Sequence, residues 1–183
     1  MNPDLKRELD LKFNFCTDER AVEVEAFLML QRAAWATSDE PSRLIRAHGI
    51  TPHQFNVLKI LQVCGGEGVS CSGISDRMIT RDSDVTRLLD KLVRDGYAKR
   101  QRSSEDRRIV LASLTEKGQE LIDKMHGPLI ALHHECFEVL GKSGCEQLIA
   151  LLNKLCGMEN DESDAGSLHN LAQSAVKAPS PRE

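Results

Sequence analysis

Apolar residues are dense and uninterrupted by Gly or Pro from about Arg20 to Ala36, where Val22, Ala26, Met29, Leu30 and Ala33 fall in one helical row. Val24, Phe27, Leu28 and Trp35 sit beside that row. A helix apolar over so wide an arc has to bury more than one side, and burial between two subunits would satisfy it. Pro41 reads as the opening of a separate short helix over 41–47, closed by His48-Gly49. Thr51-Pro52-His53-Gln54 is a helix start, with Thr51 as cap, Pro52 at the first helical position and Gln54 completing a capping box. That helix carries Phe55, Leu58, Ile60 and Leu61 and stops near Gly65-Gly66. Ser70 caps a short helix containing Ile74 and Met78. From about Asp82 to Asp95, Val85, Leu88, Leu89, Leu92 and Val93 follow i, i+3, i+4, i+7, i+8 spacing, and Gly96 is placed to stop the helix. Only one face of it is apolar; the other presents Ser83, Thr86, Arg87, Asp90 and Arg94.

The period then changes. Tyr97 to Arg102 can be a strand, Ile109 to Leu114 is a β-branched, apolar run, and the polar residues 103–108 between them form a turn. Thr115 caps a helix running to about Met125, which Gly127-Pro128 should kink or interrupt before the pattern resumes to Leu140. Ser143-Gly144-Cys145-Glu146 reads as a second capping box, opening a helix with Leu148, Ile149, Leu152 and Leu155. Periodicity is lost after Gly157, as in a disordered tail. The expected fold is mainly α with a small β wing (α+β): a winged helix-turn-helix plus a helical dimerisation region.

Charge sharpens this picture. The chain carries −4 overall, yet residues 77–108 hold ten Lys/Arg against six acids. A basic segment in an acidic chain is what one phosphate-facing surface produces, although a solvated charged helix has the same composition. Aromatics are only 4%, too few for the stacking platforms of a single-strand binder. No apolar run is long enough to span a membrane, and the opening MNPDLKRELD lacks the apolar region of a secretory signal. A cytoplasmic location follows, with the six cysteines kept as thiols, and no CxxC pair suggests a zinc ribbon.

Ile50-Thr51-Pro52-His53-Gln54-Phe55-Asn56-Val57-Leu58 resembles the LTPxQFxVL opening of the MarR family of winged-helix regulators. Val85-Thr86-Arg87-Leu88-Leu89-Asp90-Lys91-Leu92 with Gly96-Tyr97 is similar to that family's recognition helix. The step from Ile74 to Val85 fits its helix-turn-helix spacing. Asp106-Arg107-Arg108 resembles its DRR wing tip, and Leu114-Thr115-Glu116-Lys117-Gly118 its LTxxG wing exit. The resemblance covers about residues 21–156. It implies a dimeric, sequence-specific regulator of transcription, a repressor more often than an activator, that binds a double-stranded DNA operator and responds to a small molecule, oxidant or metal. The corresponding organisation is an arm (1–19), N-terminal dimerisation helices (20–48), a DNA-binding domain (49–114), C-terminal dimerisation helices (115–157) and a tail (158–183).

A helix in the major groove reads bases with residues near its N-terminus, here Ser83, Asp84, Thr86 and Arg87. Arg87 can pair bidentately with guanine, Thr86 can touch a thymine methyl, and Asp84 can accept from cytosine N4. The competing readings are a surface pair between Arg87 and Asp90, and Asp84 as a helix-dipole partner. Lys91, Arg94, Arg102, Arg107 and Lys99 are candidate phosphate contacts. Arg108 suits the minor groove, where narrow A·T tracts attract Arg. By the family pattern Asp106 orients Arg108, with Arg100 as a second participant; the alternative is an Asp–Arg pair that only closes the hairpin. Trp35, His48 and His53 are candidates for an effector pocket, Trp35 equally for plain core. His133 and Cys136 could share a metal-binding helix face with His134 beside them, or be exposed histidines and a small buried thiol. Cys16 lies where a redox-sensing thiol could stand, but its acidic neighbours would raise its pKa. No nucleophile–base spacing suggests an enzyme, and no cofactor or metal is expected. A winged-helix module for protein–protein interaction is the competing function.

Overall fold

The computed structural model describes residues 21–66, 68–79, 84–103, 106 and 108–157. They belong to two compact units, one ending at Asp39 and the other beginning at Glu40. In chain order the elements are α1 (Ala21–Ala47), α2 (Pro52–Cys64), β1 (Val69–Ser70), α3 (Cys71–Ser75), α4 (Val85–Arg94), β2 (Ala98–Arg102), β3 (Val110–Leu114), α5 (Glu116–Phe137), a 3-10 turn (Glu138–Leu140) and α6 (Gly141–Cys156).

The second unit is organised around α2. Its capping box forms as the sequence requires: Thr51 Oγ1 accepts from the Gln54 N–H (3.2 Å) and Gln54 Oε1 from the Thr51 N–H (2.9 Å). Val57, Leu58, Ile60 and Leu61 are buried against α4, β3 and α5. Ile74 of α3, Leu89 and Leu92 of α4, Ala112 of β3, and Ile122 and Met125 of α5 complete the same core. The sheet has the order β1-β3-β2, all antiparallel. The two-residue β1 pairs Val69 with Ala112 and Ser70 with Leu111. The helix α4 ends in a Schellman motif at Gly96 (φ 80°), where the Gly96 N–H donates to Val93 O and the Tyr97 N–H to Leu92 O.

Three sequence expectations are corrected. Pro41 opens no separate helix; it lies inside the 27-residue α1. In the turn before it, the Thr37 and Ser38 hydroxyls donate back to the Ala33 and Ala34 carbonyls (2.9 and 2.7 Å), and Pro41 itself withdraws a single helical donor, the one that would serve Thr37 O. Gly127-Pro128 likewise does not end α5, because Leu121, Ile122, Met125 and Leu129 bury one continuous face across it. Ser143 caps nothing at its own helix start: α6 begins two residues earlier at Gly141, and Ser143 accepts from Gln147 within the helix. The shorter boundary differences lie at α4, which starts at Val85, and at the strands, which start at Ala98 and Val110.

Candidate nucleic-acid interface

The chemistry of α4 divides along its two faces. Val85, Leu89 and Leu92 are buried, while Thr86, Arg87, Asp90, Lys91 and Arg94 are exposed. The amphipathic spacing therefore turns Thr86 and Arg87 outward in the first turn. Asp84 is the N-cap, its carboxylate accepting from the Arg87 N–H (3.2 Å). This is the capping reading of Asp84, with Oδ1 carrying the cap bond at the first turn of α4. Arg94 pairs loosely with Asp95 (3.4 Å). Ser83 lies outside the described residues.

Arg100 on β2 donates to Asp90 on α4. This pair joins the wing to the helix, and it goes against the competing surface pair for Arg87 and against the part given to Arg100 at the wing tip. Asp90 serves Arg100 and not Arg87, and Arg100 does not serve Asp106. At the wing tip the Asp106 carboxylate accepts from the backbone N–H of Arg108 (2.9 Å), while the Ile109 N–H donates to Asp106 O (2.9 Å). Asp106 thus fixes Arg108 through the main chain and leaves its exposed side chain outside that bond. Arg102 is exposed on β2, next to the turn; Arg107 lies outside the described residues. Along β2 the parity of the strand sets Arg100 and Arg102 on one face and Lys99 on the other. Lys99 accordingly lines a groove with Gln62 and Ser113, which removes it from the surface shared by Arg100 and α4.

The root of the wing is tied at one residue. Thr115 Oγ1 donates to Gly96 O (2.7 Å) and accepts from the Gly118 N–H (3.1 Å), and the Thr115 N–H donates to Tyr97 O (3.1 Å). Beneath it a polar ladder crosses from α2 to α5. Lys59 Nζ donates to Gln62 Oε1 (2.6 Å), Gln62 Nε2 to Gln119 Oε1 (3.2 Å), and Gln119 Nε2 to Asp123 Oδ1 (2.7 Å). Burial pushes the Lys59 ammonium below its ordinary pKa, and the nearby Asp123 charge pulls it partly back.

Of the remaining candidates, Trp35 belongs to the first unit and is 72% exposed, so it is not core among the described residues. His48 and His53 belong to the second; His48 Nδ1 is 3.0 Å from Leu44 O and His53 is exposed. His133 Nδ1 approaches Leu129 O (3.1 Å), and Cys136 is exposed where a buried thiol was the alternative. No group of three or more His, Cys, Asp or Glu that could hold a metal occurs among the described residues. Cys16 lies outside them. Sequence reasoning missed β1, the Asp90–Arg100 pair and the ladder; the parity of β2 alone could have separated Lys99 from Arg100.

Residues 42–125 match the family model of the transcriptional regulator SarA/Rot. Over 79% of this chain and 91% of its own length, the HTH-type transcriptional regulator YkoM of Bacillus subtilis (strain 168) is 34% identical. Among solved structures, a mutant MarR from E. coli complexed with operator DNA superposes with a TM-score of 0.65 at 23% identity, covering 76% of this chain and 99% of that one. CouR from Rhodococcus jostii RHA1, solved bound to p-coumaroyl-CoA, gives 0.60 at 25% identity over 69% and 88% of the two chains. With the outward Thr86 and Arg87, the wing and its root in place, the chain belongs to the MarR-like family of winged helix-turn-helix transcriptional regulators.

Proposed function

We propose that this DNA-binding regulator works in the cytoplasm as a homodimeric repressor on a palindromic operator, with a small-molecule effector setting its affinity. The observation that carries the reading is the exposed row Thr86, Arg87, Lys91 and Arg94 on α4, together with the exposed Arg102 and Arg108 of the wing. Arg87 reads a base edge in the major groove, Arg108 enters the minor groove, and Lys91, Arg94 and Arg102 neutralise phosphates. DNA binding is assigned to residues 49–114.

Dimerisation is assigned to 20–48 and 115–157. Among the described residues of α1 in the first unit none is buried, and Val22 and Phe27 are more than half exposed. In the second unit α6 contributes no buried residue while exposing Ile149, Leu151 and Leu155. Apolar faces left open on two elements call for a second copy. No helix among the described residues is long and apolar enough to cross a membrane. The effector is supported by CouR, whose structure holds a bound ligand. Gel shifts with the DNA upstream of the chain's own gene test the proposal, alongside sedimentation. Retarded operator with a species of twice 20.4 kDa is expected. A well-behaved monomer, or equal affinity for operator and scrambled duplex, would refute it.

A further inference from the structure

The two strands of the wing differ in chemistry toward its tip. After Ala98, β2 is polar at every position: Lys99, Arg100, Gln101 and Arg102. Opposite its end, Ile109 just before β3 and Val110 at its start are apolar, 44% and 45% exposed. Neither contributes to the core of the second unit among the described residues. Strand preference accounts for the β-branch, yet the solvated positions of an antiparallel ribbon are ordinarily polar. The register separates the two side chains. Val110 opposes Arg102, next on its face to the Arg100–Ala112 pair, so it stands on the side from which Arg100 reaches Asp90 of α4. Pairing runs one residue past the strand, where the Ser103 N–H donates to Ile109 O (2.9 Å). Strand alternation therefore puts Ile109 on the opposite face, with Gln101 and Leu111. The exposed Arg108 precedes both at the turn, its N–H held by the Asp106 carboxylate.

A cation at the tip with one apolar side chain on each face behind it complements the minor groove of duplex DNA. The floor of that groove carries hydrogen-bond acceptors, and its two sides are deoxyribose rings whose C–H groups are apolar. We propose that Ile109 and Val110 are the two cheeks of the wing: with Arg108 in the groove, each packs on deoxyribose of a different strand at the groove mouth. Charge argues for this occupant over an apolar protein partner. Arg102 stands opposite Val110 and Arg108 ahead of both, so the apolar pair is framed by cations, while the Asp106 carboxylate is turned back onto the main chain. The proposal rests on the minor-groove reading of Arg108 above and adds to it a contact that carries no charge. Phosphate contacts weaken as salt rises, and the sugar contact does not. It is blind to base identity but sensitive to groove width, because both cheeks seat only where the two strands stand the right distance apart.

Hydroxyl radicals cut DNA by abstracting deoxyribose hydrogens, so footprinting reads the sugars directly. The full chain is bound to end-labelled DNA from upstream of its own gene. The parent should protect sugars on both strands, facing each other across a minor groove beside each half-site. Ile109→Ala should reopen the sugars of one strand and Val110→Ala those of the other. Each should lower operator affinity about fivefold per chain at unchanged salt slope, whereas Arg108→Ala flattens the slope. Ile109→Thr and Val110→Thr keep the β-branch that the strand prefers; they should melt with the parent and still bind more weakly at the parental slope. Protection that survives both alanine variants, or that either one removes from both strands, overturns the proposal. So does an affinity loss that comes with a flatter slope. Operator binding in gel shifts without protected minor-groove sugars overturns the cheeks and leaves DNA binding by α4 standing. A parent that binds no operator sinks the regulator reading itself.

Discussion

Replacing Asp90 with Ala removes the carboxylate that holds Arg100 against α4. The two side chains are 55% and 30% exposed, so water screens the pair and its contribution to stability is about 0.2–1 kcal/mol. For a chain of this length that is a loss of no more than about 4 °C in Tm. The larger consequence concerns DNA. The substitution deletes a negative charge from the exposed face of α4 and releases a guanidinium next to it. One added phosphate contact per chain steepens the dependence of log K on log salt by about 0.9, or about 1.8 for a homodimer. Operator and scrambled duplexes should both bind more tightly at low salt, and the ratio between them should narrow. Fluorescence anisotropy of labelled duplexes across a salt series reads both quantities, with Arg100→Ala and the double variant as companions. Arg100→Ala should keep the parental slope, because its guanidinium is already committed to Asp90. If Asp90→Ala weakens the operator complex at unchanged slope, Asp90 contacts DNA itself and the clamp assignment is wrong. If Arg100→Ala alone flattens the slope, the pair opens on DNA and the assignment fails from the other side.

Three further outcomes follow from the geometry. Arg87→Ala should cost about 1–3 kcal/mol per half-site and relax discrimination at one operator position, whereas Arg108→Ala should weaken all duplexes alike and flatten the salt slope, both read in the same anisotropy series. Gly118→Ala would drive a methyl group into the Tyr97 carbonyl and Leu114, so thermal melts should show a loss of about 1–3 kcal/mol or more. Between the lowered pKa of Lys59 and its unperturbed 10.5, the unfolded chain holds more protons than the folded one. Stability should therefore rise with pH through that window, the penalty being fully present below it, and Lys59→Met should flatten the rise in alkaline melts.

What could be read from the chain was what is decided locally. Thr51 and Gln54 lie three residues apart, and the capping box they encode needs nothing else. The apolar spacing of Val85, Leu89 and Leu92 likewise fixes which way Thr86 and Arg87 point. Pro41 and Pro128 carry an equally strong local signal, but it is overridden. One missing N–H removes a single helical bond, and at Pro128 a buried face that continues on both sides outweighs it. Ser143 and Glu146 have capping-box spacing, yet the chain is already helical from Gly141. The two-residue β1 is too short to show a period, and its pairing depends on β3 some forty residues on. The Asp90–Arg100 pair joins a helix to a strand, and no periodicity within either element announces it.

The knot at Thr115 leaves no slack between the end of α4, the root of the wing and the first turn of α5. Three elements already packed on one core also share a single hydrogen-bonded joint, and α5 is the long arm that leads away from it. Its 22 residues reach about 33 Å from that joint. A tilt of about 5° at the knot sweeps the far end through about 3 Å, and the gearing works equally in reverse: a displacement of that size at Phe137 turns the reading head by only a few degrees. Coarse motion at one end of the arm is thus converted into fine adjustment at the other.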